Sequence, residues 1–338
     1  MNYKSAVATR SGGPEVLQII ENNLRAPLAG EVRIKVLAAA VCRPDVTARS
    51  GKALYSGTPL GQKFPFVPGY AVIGDVDAVG EGVTSVVVGE RVGVLTIVGG
   101  YTEILYWRSD RLIPVPAALD PAEAIPLILN YIVAYQALHR SVKVKAGEKA
   151  LIIGASGGIG TALLQLGQLA GLKMYAIASQ SKHPILAEYG ATPIDYHTQD
   201  FAEFIHRAEP EGLDVILDGM MSLNYIQRGL ALLRRGGRIV SFGEPKRSEF
   251  FRVLATAAKT NLFSTGKAFK LYGTSFYFVG DKQPFLEDWA TLFKLLAEGK
   301  IKPVIAAKFP ILEAAKANEL LESGQVTGNL VLVAPEYL

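Results

Sequence analysis

The stretch from Ala150 to Leu172 constrains this chain more than any other. It holds no charged residue and is long enough to cross a membrane, but five glycines, in Gly154–Gly160 and at Gly167, divide it. What remains is an apolar run, Ala150-Leu-Ile-Ile153, then the turn Gly154-Ala-Ser-Gly157-Gly-Ile-Gly160, then helical spacing over Thr161–Ala170. In a strand, tight turn and helix in that order, missing Cβ atoms let a ligand approach the backbone. Unpaired amides and the dipole at the helix start then face that ligand with positive charge. This is the position of a dinucleotide-binding turn, with Ala155 at the first glycine of the usual G-x-G-x-x-G and with Gly157 and Gly160 kept. Ala155, Ser156, Gly157, Gly158 and Ile159 are the candidate contacts. A glycine-rich turn without a ligand is the plain alternative, and the strand–turn–helix setting argues against it.

The regions on either side differ in texture. Before about residue 120 the pattern is that of strands. Glu31-Val-Arg-Ile-Lys-Val36 alternates charged and apolar, and valine-rich runs between Gly69 and Thr96 are punctuated by glycines, as in hairpins of a small barrel or sandwich. Asp120-Pro121 opens a helix with Asp120 as N-cap. From there short apolar runs (Ala150–Ile153, Met174–Ala178, Val215–Leu217, Ile239–Phe242) alternate with helical patterns (Thr161–Ala170, Pro184–Tyr189, Leu223–Leu233). Such alternation builds a parallel sheet covered by helices, so the fold class is α/β. Another helical pattern follows Phe285, and the tail ends in the apolar Asn329-Leu-Val-Leu-Val333.

Which nucleotide the turn would hold is written after the second strand. An NAD site wants a carboxylate about 20 residues on, to accept from the ribose hydroxyls. Here Ala178-Ser-Gln-Ser-Lys182 follows, and no acid appears before Glu188. Ser179 and Lys182 offer a hydroxyl and an ammonium, which suit a 2′-phosphate, so NADPH is the expected cofactor. A solvated loop with an ordinary lysine is the alternative. Tyr196 is a candidate neighbour of the phosphate or adenine, or a packing tyrosine.

Composition excludes other classes. Lys+Arg 35 against Asp+Glu 31 gives a net charge of +4, too small to demand nucleic acid or an anionic surface as a partner. One cysteine excludes an internal disulfide and a zinc site of several thiolates, and it fits a reducing, cytoplasmic setting. The N-terminus shows no secretory pattern and the sequence no membrane span. Arg234-Arg235-Gly-Gly-Arg238 reads as a solvated helix end.

Several short motifs recur in an order that resembles the medium-chain dehydrogenase/reductase superfamily, and within it the zinc-free quinone oxidoreductase (zeta-crystallin-like) branch. They are Asp45-Val-Thr-Ala-Arg49-Ser-Gly51; Val67-Pro-Gly-Tyr70 with Gly74; Val79-Gly-Glu-Gly-Val83; Val88-Gly-Glu-Arg-Val92; Gly99-Gly-Tyr-Thr-Glu103; Leu129-Asn-Tyr-Ile-Val-Ala-Tyr135; and Gly236-Gly-Arg-Ile-Val240. The resemblance covers nearly the whole chain. It implies a GroES-like β-barrel catalytic domain over 1–124 and 281–338, and over 125–280 a Rossmann domain, a doubly wound parallel sheet that binds NADP. It also implies Phe242, Gly243 and Phe278 near the nicotinamide, Asn329 where the family has a lysine, and a homodimer paired edge to edge, for which Lys270–Phe278 is a candidate edge strand.

Zinc-dependent relatives hold their metal with an early cysteine and a Gly-His-Glu segment. Here Cys42 stands at the cysteine, but the next two positions read Tyr70 and Ala71, and none of the four histidines precedes residue 125. No metal is expected, and Cys42 reads as a small pocket-lining hydrophobe or, less simply, a nucleophile. Without a metal the implied reaction is hydride transfer to a quinone or an α,β-unsaturated carbonyl, whose conjugation spreads the arriving charge. Tyr55 and Tyr131 are candidate proton donors or packing tyrosines, and Val133 replaces a threonine of the family. Three competing readings are an NADPH-binding structural or sensing protein with little turnover, a zinc-type alcohol dehydrogenase, and a Rossmann methyltransferase, which would not need the first half. The loop 51–64, which would select the acceptor, carries no readable pattern.

Overall fold

A computed structural model describes the chain apart from Leu60, Ser264 and Thr265 and the side chains of Ser275, Phe276 and Val279. Leu60 belongs to the expected acceptor loop and lies outside the described residues, and of Ser275 and Phe276, in the expected edge strand, only the backbone is described. The chain divides into two compact units, residues 1–129 with 283–338, and residues 130–282.

The first unit contains β1 (Asn2–Ala8), β2 (Leu17–Asn23), β3 (Glu31–Val41), α1 (Arg43–Arg49), β4 (Ala71–Val79), β5 (Arg91–Leu95), β6 (Ile104–Arg108), β7 (Ile113–Pro114) and α2 (Pro121–Pro126). The second contains α3 (Ile132–Gln136), β8 (Lys149–Ile153), α4 (Gly158–Leu169), β9 (Lys173–Ala178), α5 (His183–Glu188), β10 (Thr192–Asp195), α6 (Phe201–Ala208), β11 (Leu213–Asp218), α7 (Leu223–Leu232), β12 (Leu233–Ser241), α8 (Phe250–Leu262), β13 (Ala268–Leu271) and α9 (Thr274–Gly280). The chain returns to the first unit with α10 (Gln283–Ala297), β14 (Ile305–Pro310), α11 (Ala314–Glu322) and β15 (Asn329–Val333).

In the first unit the sheet order is β14-β15-β3-β4-β5-β7, with β6 also on β3 and a separate β1–β2 hairpin. The alternation over 31–36 does its work: Val32, Ile34 and Val36 are buried while Lys35 is exposed. Gly74 on β4 has to be glycine, because a Cβ there would sit 2.3 Å from the Lys35 carbonyl oxygen. Asp120 caps α2 as the sequence indicates, accepting from the Ala122 amide at 2.7 Å. The helix α1 has no signal in hydrophobic spacing. Cys42 and Asp45 nucleate it by a reciprocal cap.

The second unit is a six-stranded sheet, parallel throughout, ordered β10-β9-β8-β11-β12-β13. Numbered within the unit this is 3-2-1-4-5-6, the doubly wound dinucleotide-binding order. Its strands are apolar because helices cover both faces: Leu151, Ile153, Ile177, Ile194, Ile216 and Ile239 share one core. The pair β10 and α6 escaped the hydrophobic pattern. A capping signal was available, since Asp200 accepts from the Ala202 and Glu203 amides at 2.9 and 3.0 Å.

The expected edge strand is shorter than the sequence suggested. Strand β13 stops at Leu271, and the chain coils into α9 from Thr274. Its outer edge is partly closed. The Asn261 side chain of α8 accepts from the Phe269 amide at 2.9 Å and donates to the Phe269 carbonyl at 2.8 Å. The Tyr277 hydroxyl donates to Leu271 O at 3.4 Å. Covering an edge in this way blocks strand addition where the partners are used.

Candidate functional site

The sheet order reverses between β8 and β11, and it is beyond the carboxyl ends of the strands at such a switch point that doubly wound sheets take their ligands. The glycine turn lines one side. Gly154 takes φ +82, a conformation that favours glycine. A Cβ on Gly160 would lie 2.3 Å from Gly154 O and 2.4 Å from Ala155 C, so only glycine lets α4 pack onto the turn. Gly157 is different. It N-caps α4 in an extended conformation, and the nearest atom to a Cβ there would be Gly154 O at 3.8 Å. That side of the turn is open. The helical bonding starts with Thr161 N donating to Gly157 O at 2.8 Å, which leaves the Gly158 and Ile159 amides without a partner inside the helix. Together these groups fit a pyrophosphate.

Ala155 is a correction. It is fully buried and its amide donates to Ile177 O at 3.3 Å, so it shapes the turn from within and offers a ligand nothing.

Next along the sheet, β9 ends at Ala178, opposite Asp195 at the end of β10. Ser179 and Tyr196 therefore leave neighbouring strands at the same level. Ser179 opens the short turn Gln180–Lys182, with its Oγ 3.5 Å from that of Ser181. Lys182 is half-buried, and that burial holds its ammonium below the usual lysine range. Tyr196 is half-exposed, its ring 4.1 Å from that of His197. The acid at this level, Asp195, is engaged in its own turn. It accepts from His197 N at 3.1 Å and from Thr198 Oγ1 at 3.0 Å, and the His197 amide holds its carboxyl below the ordinary range.

The opposite wall was not legible in the sequence. Asp218 ends β11 fully buried, and burial raises its carboxyl. One carboxylate oxygen accepts from the Met220 and Met221 amides at 2.9 and 3.2 Å, and the other from Ser241 Oγ at 2.8 Å. This clamp ties β11 to β12 and holds Met221 at φ +47. Phe242 and Gly243 pack on the turn it forms: a Cβ on Gly219 would meet the Phe242 ring at 3.0 Å, and one on Gly243 would meet Gly219 O at 2.7 Å. Met220, half-exposed, reaches back toward Gly154. An Asp-Gly pair at the end of an apolar run was the available signal. Phe278 stands half-buried on α9 rather than on a strand.

Of the two readings open for Tyr131, the structure favours the packing tyrosine. It is fully buried, its hydroxyl donates to Gln165 Oε1 at 3.0 Å, and Gln165 donates on to the Tyr189 hydroxyl at 3.0 Å. Burial raises the phenol well above its ordinary range. The group is a structural link between its own segment and α4, not a proton donor at hand.

In the first unit, Cys42 lies in a buried polar cluster. Asp45 Oδ2 accepts from the Cys42 amide at 2.9 Å, from Cys42 Sγ at 3.0 Å and from the Tyr101 hydroxyl at 3.0 Å, while Oδ1 accepts from Gly69 N at 3.1 Å. Asn318 donates to the Tyr101 hydroxyl at 3.3 Å. Burial lifts the Asp45 carboxyl to about 6 and, with that carboxylate alongside, pushes the Cys42 thiol well up. A thiol raised in this way is a weaker nucleophile and metal ligand than a free one. Among the described residues no group of three His, Cys, Asp or Glu side chains is placed to hold an ion. Cys42 and Asp45 by themselves fall short of the three protein ligands that a zinc site needs.

Tyr55 is half-exposed in the turn after α1. Asn329 is buried, and both its amide and its side-chain Nδ2 donate to Val304 O, at 2.8 and 2.9 Å, a link between chain segments.

Comparison with known proteins agrees with this geometry. The alcohol dehydrogenase GroES-like domain family matches residues 28–117, and a zinc-binding dehydrogenase family matches residues 189–332. Quinone oxidoreductase of Rattus norvegicus is 32 % identical over 330 residues, 95 % of each chain. The quinone oxidoreductase of Coxiella burnetii superposes with a TM-score of 0.84 at 26 % identity, over 99 % of this chain and 100 % of that one. The CurK enoyl reductase gives 0.83 at 27 %, over 99 % of each.

Proposed function

The chain belongs to the medium-chain dehydrogenase/reductase superfamily, in its quinone oxidoreductase branch, and from that premise we propose that it is a zinc-independent, NADPH-dependent reductase of quinones or α,β-unsaturated carbonyls. Membership makes it an oxidoreductase that uses a nicotinamide cofactor. The observation that carries the finer reading is the pair of strand ends at Ser179 and Tyr196. Ser179 carries a hydroxyl and opens the turn that contains Lys182, Tyr196 carries a phenol, and Asp195 is turned into its own loop. A 2′-phosphate gains charge-assisted bonds there, and a bare ribose finds no carboxylate offered.

When bound, the nicotinamide supplies a hydride to the conjugated acceptor. The protein's part is placement. The Gly158 and Ile159 amides and the α4 dipole hold the pyrophosphate. Phe242 and Gly243, locked by the Asp218 clamp, bound the space beyond β12. Exclusion of water there strengthens every polar contact made by the developing oxyanion. Tyr55, exposed and carrying a hydroxyl, is the remaining tyrosine candidate for protonating that oxygen. A conjugated acceptor suits a site whose donor set does not fit zinc, because delocalisation does part of what an ion would do. Similarity to an enoyl reductase and to quinone oxidoreductases supports the same substrate chemistry. A cytoplasmic setting and a homodimer complete the reading. Pairing through β13 would require Asn261 to release Phe269.

The test is oxidation of NADPH, followed at its absorbance, over quinones and enones of graded size, with and without a chelator. Turnover that survives the chelator and prefers NADPH to NADH by at least tenfold is expected. Equal use of both cofactors, or loss of activity with the chelator, would refute the reading. Tyr55→Phe should lower kcat several-fold with NADPH binding unchanged.

A further inference from the structure

Helix α8 has a well-formed inward face and an equally regular outward one. Val253, Ala257 and Thr260 are buried. At roughly 100° per residue, Phe251, Ala255, Ala258 and Leu262 make a straight stripe on the opposite side. Phe251 is 78 % exposed and Leu262 80 %, and Phe263, just past the helix, is 66 % exposed. Leaving Phe251 and Leu262 in water on one short helix, with Phe263 just past its end, is a cost that a surface with no partner rarely carries.

The charges beside the stripe say what covers it. Arg252 and Lys259 run along its α7 flank and α8 contains no acidic residue, while just before the helix Lys246 and Arg247 stand between Glu244 and Glu249. On the same flank a groove of about 530 Å³ lies between α7 and α8, lined by Lys259 and Lys267, whose ammonium also donates to Leu230 O at 2.6 Å. An apolar ridge bordered by cations, next to a groove with two ammonium groups, matches the layering of acyl chain and phosphate headgroup at a bilayer surface. A second copy fits worse. A two-fold antiparallel pair through the stripe keeps both basic flanks on one side and sets Lys259 of one helix near Arg252 of the other, with no acid on either helix to offset them. No helix among the described residues is long and apolar enough to cross a membrane, so the contact is peripheral.

We propose that α8 is a membrane-contact element that takes anionic phospholipid, its Phe251–Leu262 stripe entering the interface and the Lys259–Lys267 groove receiving a headgroup phosphate. The proposal does not depend on which acceptor the chain reduces. The experiment is co-sedimentation of the full chain with vesicles of phosphatidylcholine alone and of phosphatidylcholine mixed with phosphatidylserine. Two variants are compared with the parent, Phe251→Ser with Leu262→Ser, and Arg252→Gln with Lys259→Gln. The parent should bind the mixed vesicles at least roughly tenfold better than the neutral ones, with added salt weakening it. Removing the two cations should cost roughly ten- to thirtyfold, and removing the two apolar side chains at least roughly tenfold. Equal binding to both vesicles, no binding to either, or variants that bind like the parent would overturn it. So would a parent dimer, seen by light scattering, that the Phe251/Leu262 variant dissolves, since a second copy would then own the stripe.

Discussion

Gly157→Ala separates a cofactor cradle from a merely tight turn. The new Cβ would find Gly154 O at 3.8 Å and nothing nearer in the protein, and φ −77 with ψ 178 suits alanine. Losing glycine at an N-cap costs roughly 0.5–1 kcal/mol. Restricting the unfolded chain returns roughly 0.4–1 kcal/mol, so stability should change by no more than about 0.5 kcal/mol. Binding should change far more. A methyl group in the open side of the turn stands where the pyrophosphate must approach, and loss of one charge-assisted bond costs roughly 1.5–3 kcal/mol, which is about ten- to a hundredfold in Kd. Gly160→Ala supplies the contrast. Its Cβ would lie 2.3–2.4 Å from the backbone atoms of Gly154 and Ala155, so the turn itself must move, and the variant should lose roughly 1–3 kcal/mol of stability or more. Calorimetric melting and NADPH titration by fluorescence measure both quantities. A Gly157→Ala protein that melts like the parent and still binds NADPH within twofold would refute the cradle.

Lys182→Ala should raise the Kd for NADPH roughly ten- to a hundredfold and leave NADH within about twofold, because only the former carries the extra phosphate; titration with both cofactors decides it. The raised carboxyl of Asp45 sets a pH dependence of known sign. Its stabilisation is complete below about pH 4 and is lost as pH rises through 6; the gap between 3.8 and about 6 corresponds to about 3 kcal/mol. Denaturant melts of Asp45→Asn should lack this fall between pH 4 and 6.5, and an identical slope in both proteins would count against it. Glu209 runs the other way. Against the burial that would raise it, hydrogen bonds from Lys149, Lys173 and Tyr175 hold its carboxyl down at about 2. Its contribution is present above pH 4.5 and is lost as pH falls toward 2, so Glu209→Gln should flatten the acid limb of the stability curve.

The unlegible parts of the site share a cause. Asp218 is an ordinary acid in the sequence. It becomes a clamp only because β11 and β12 lie side by side, although they are joined through α7. Tyr131 reads in the sequence as either a proton donor or a packing tyrosine, and only α4, by bringing Gln165 against it, favours packing. Asn261 gave no sign of covering a strand edge, since that needs α8 to lie beside β13. Each depends on two segments distant in the chain meeting at hydrogen-bond range, and no local spacing encodes such a meeting.

Local chemistry, by contrast, needs no partner. Glycines where a helix must touch its own turn, an Asp before a proline-started helix, and apolar runs for strands covered on both faces are requirements a short segment meets alone. From these the α/β class, the glycine turn and most of the alternating strands and helices of the second unit follow from the residues themselves, with β10 and α6 the exception. The strand order that makes a switch point, the burial that lifts Asp45 and the Cys42 thiol, and the outward face of α8 were decided by tertiary packing. That packing fixes which groups lose water and which keep it, and solvation is what sets the charge, reactivity and exposure of a side chain.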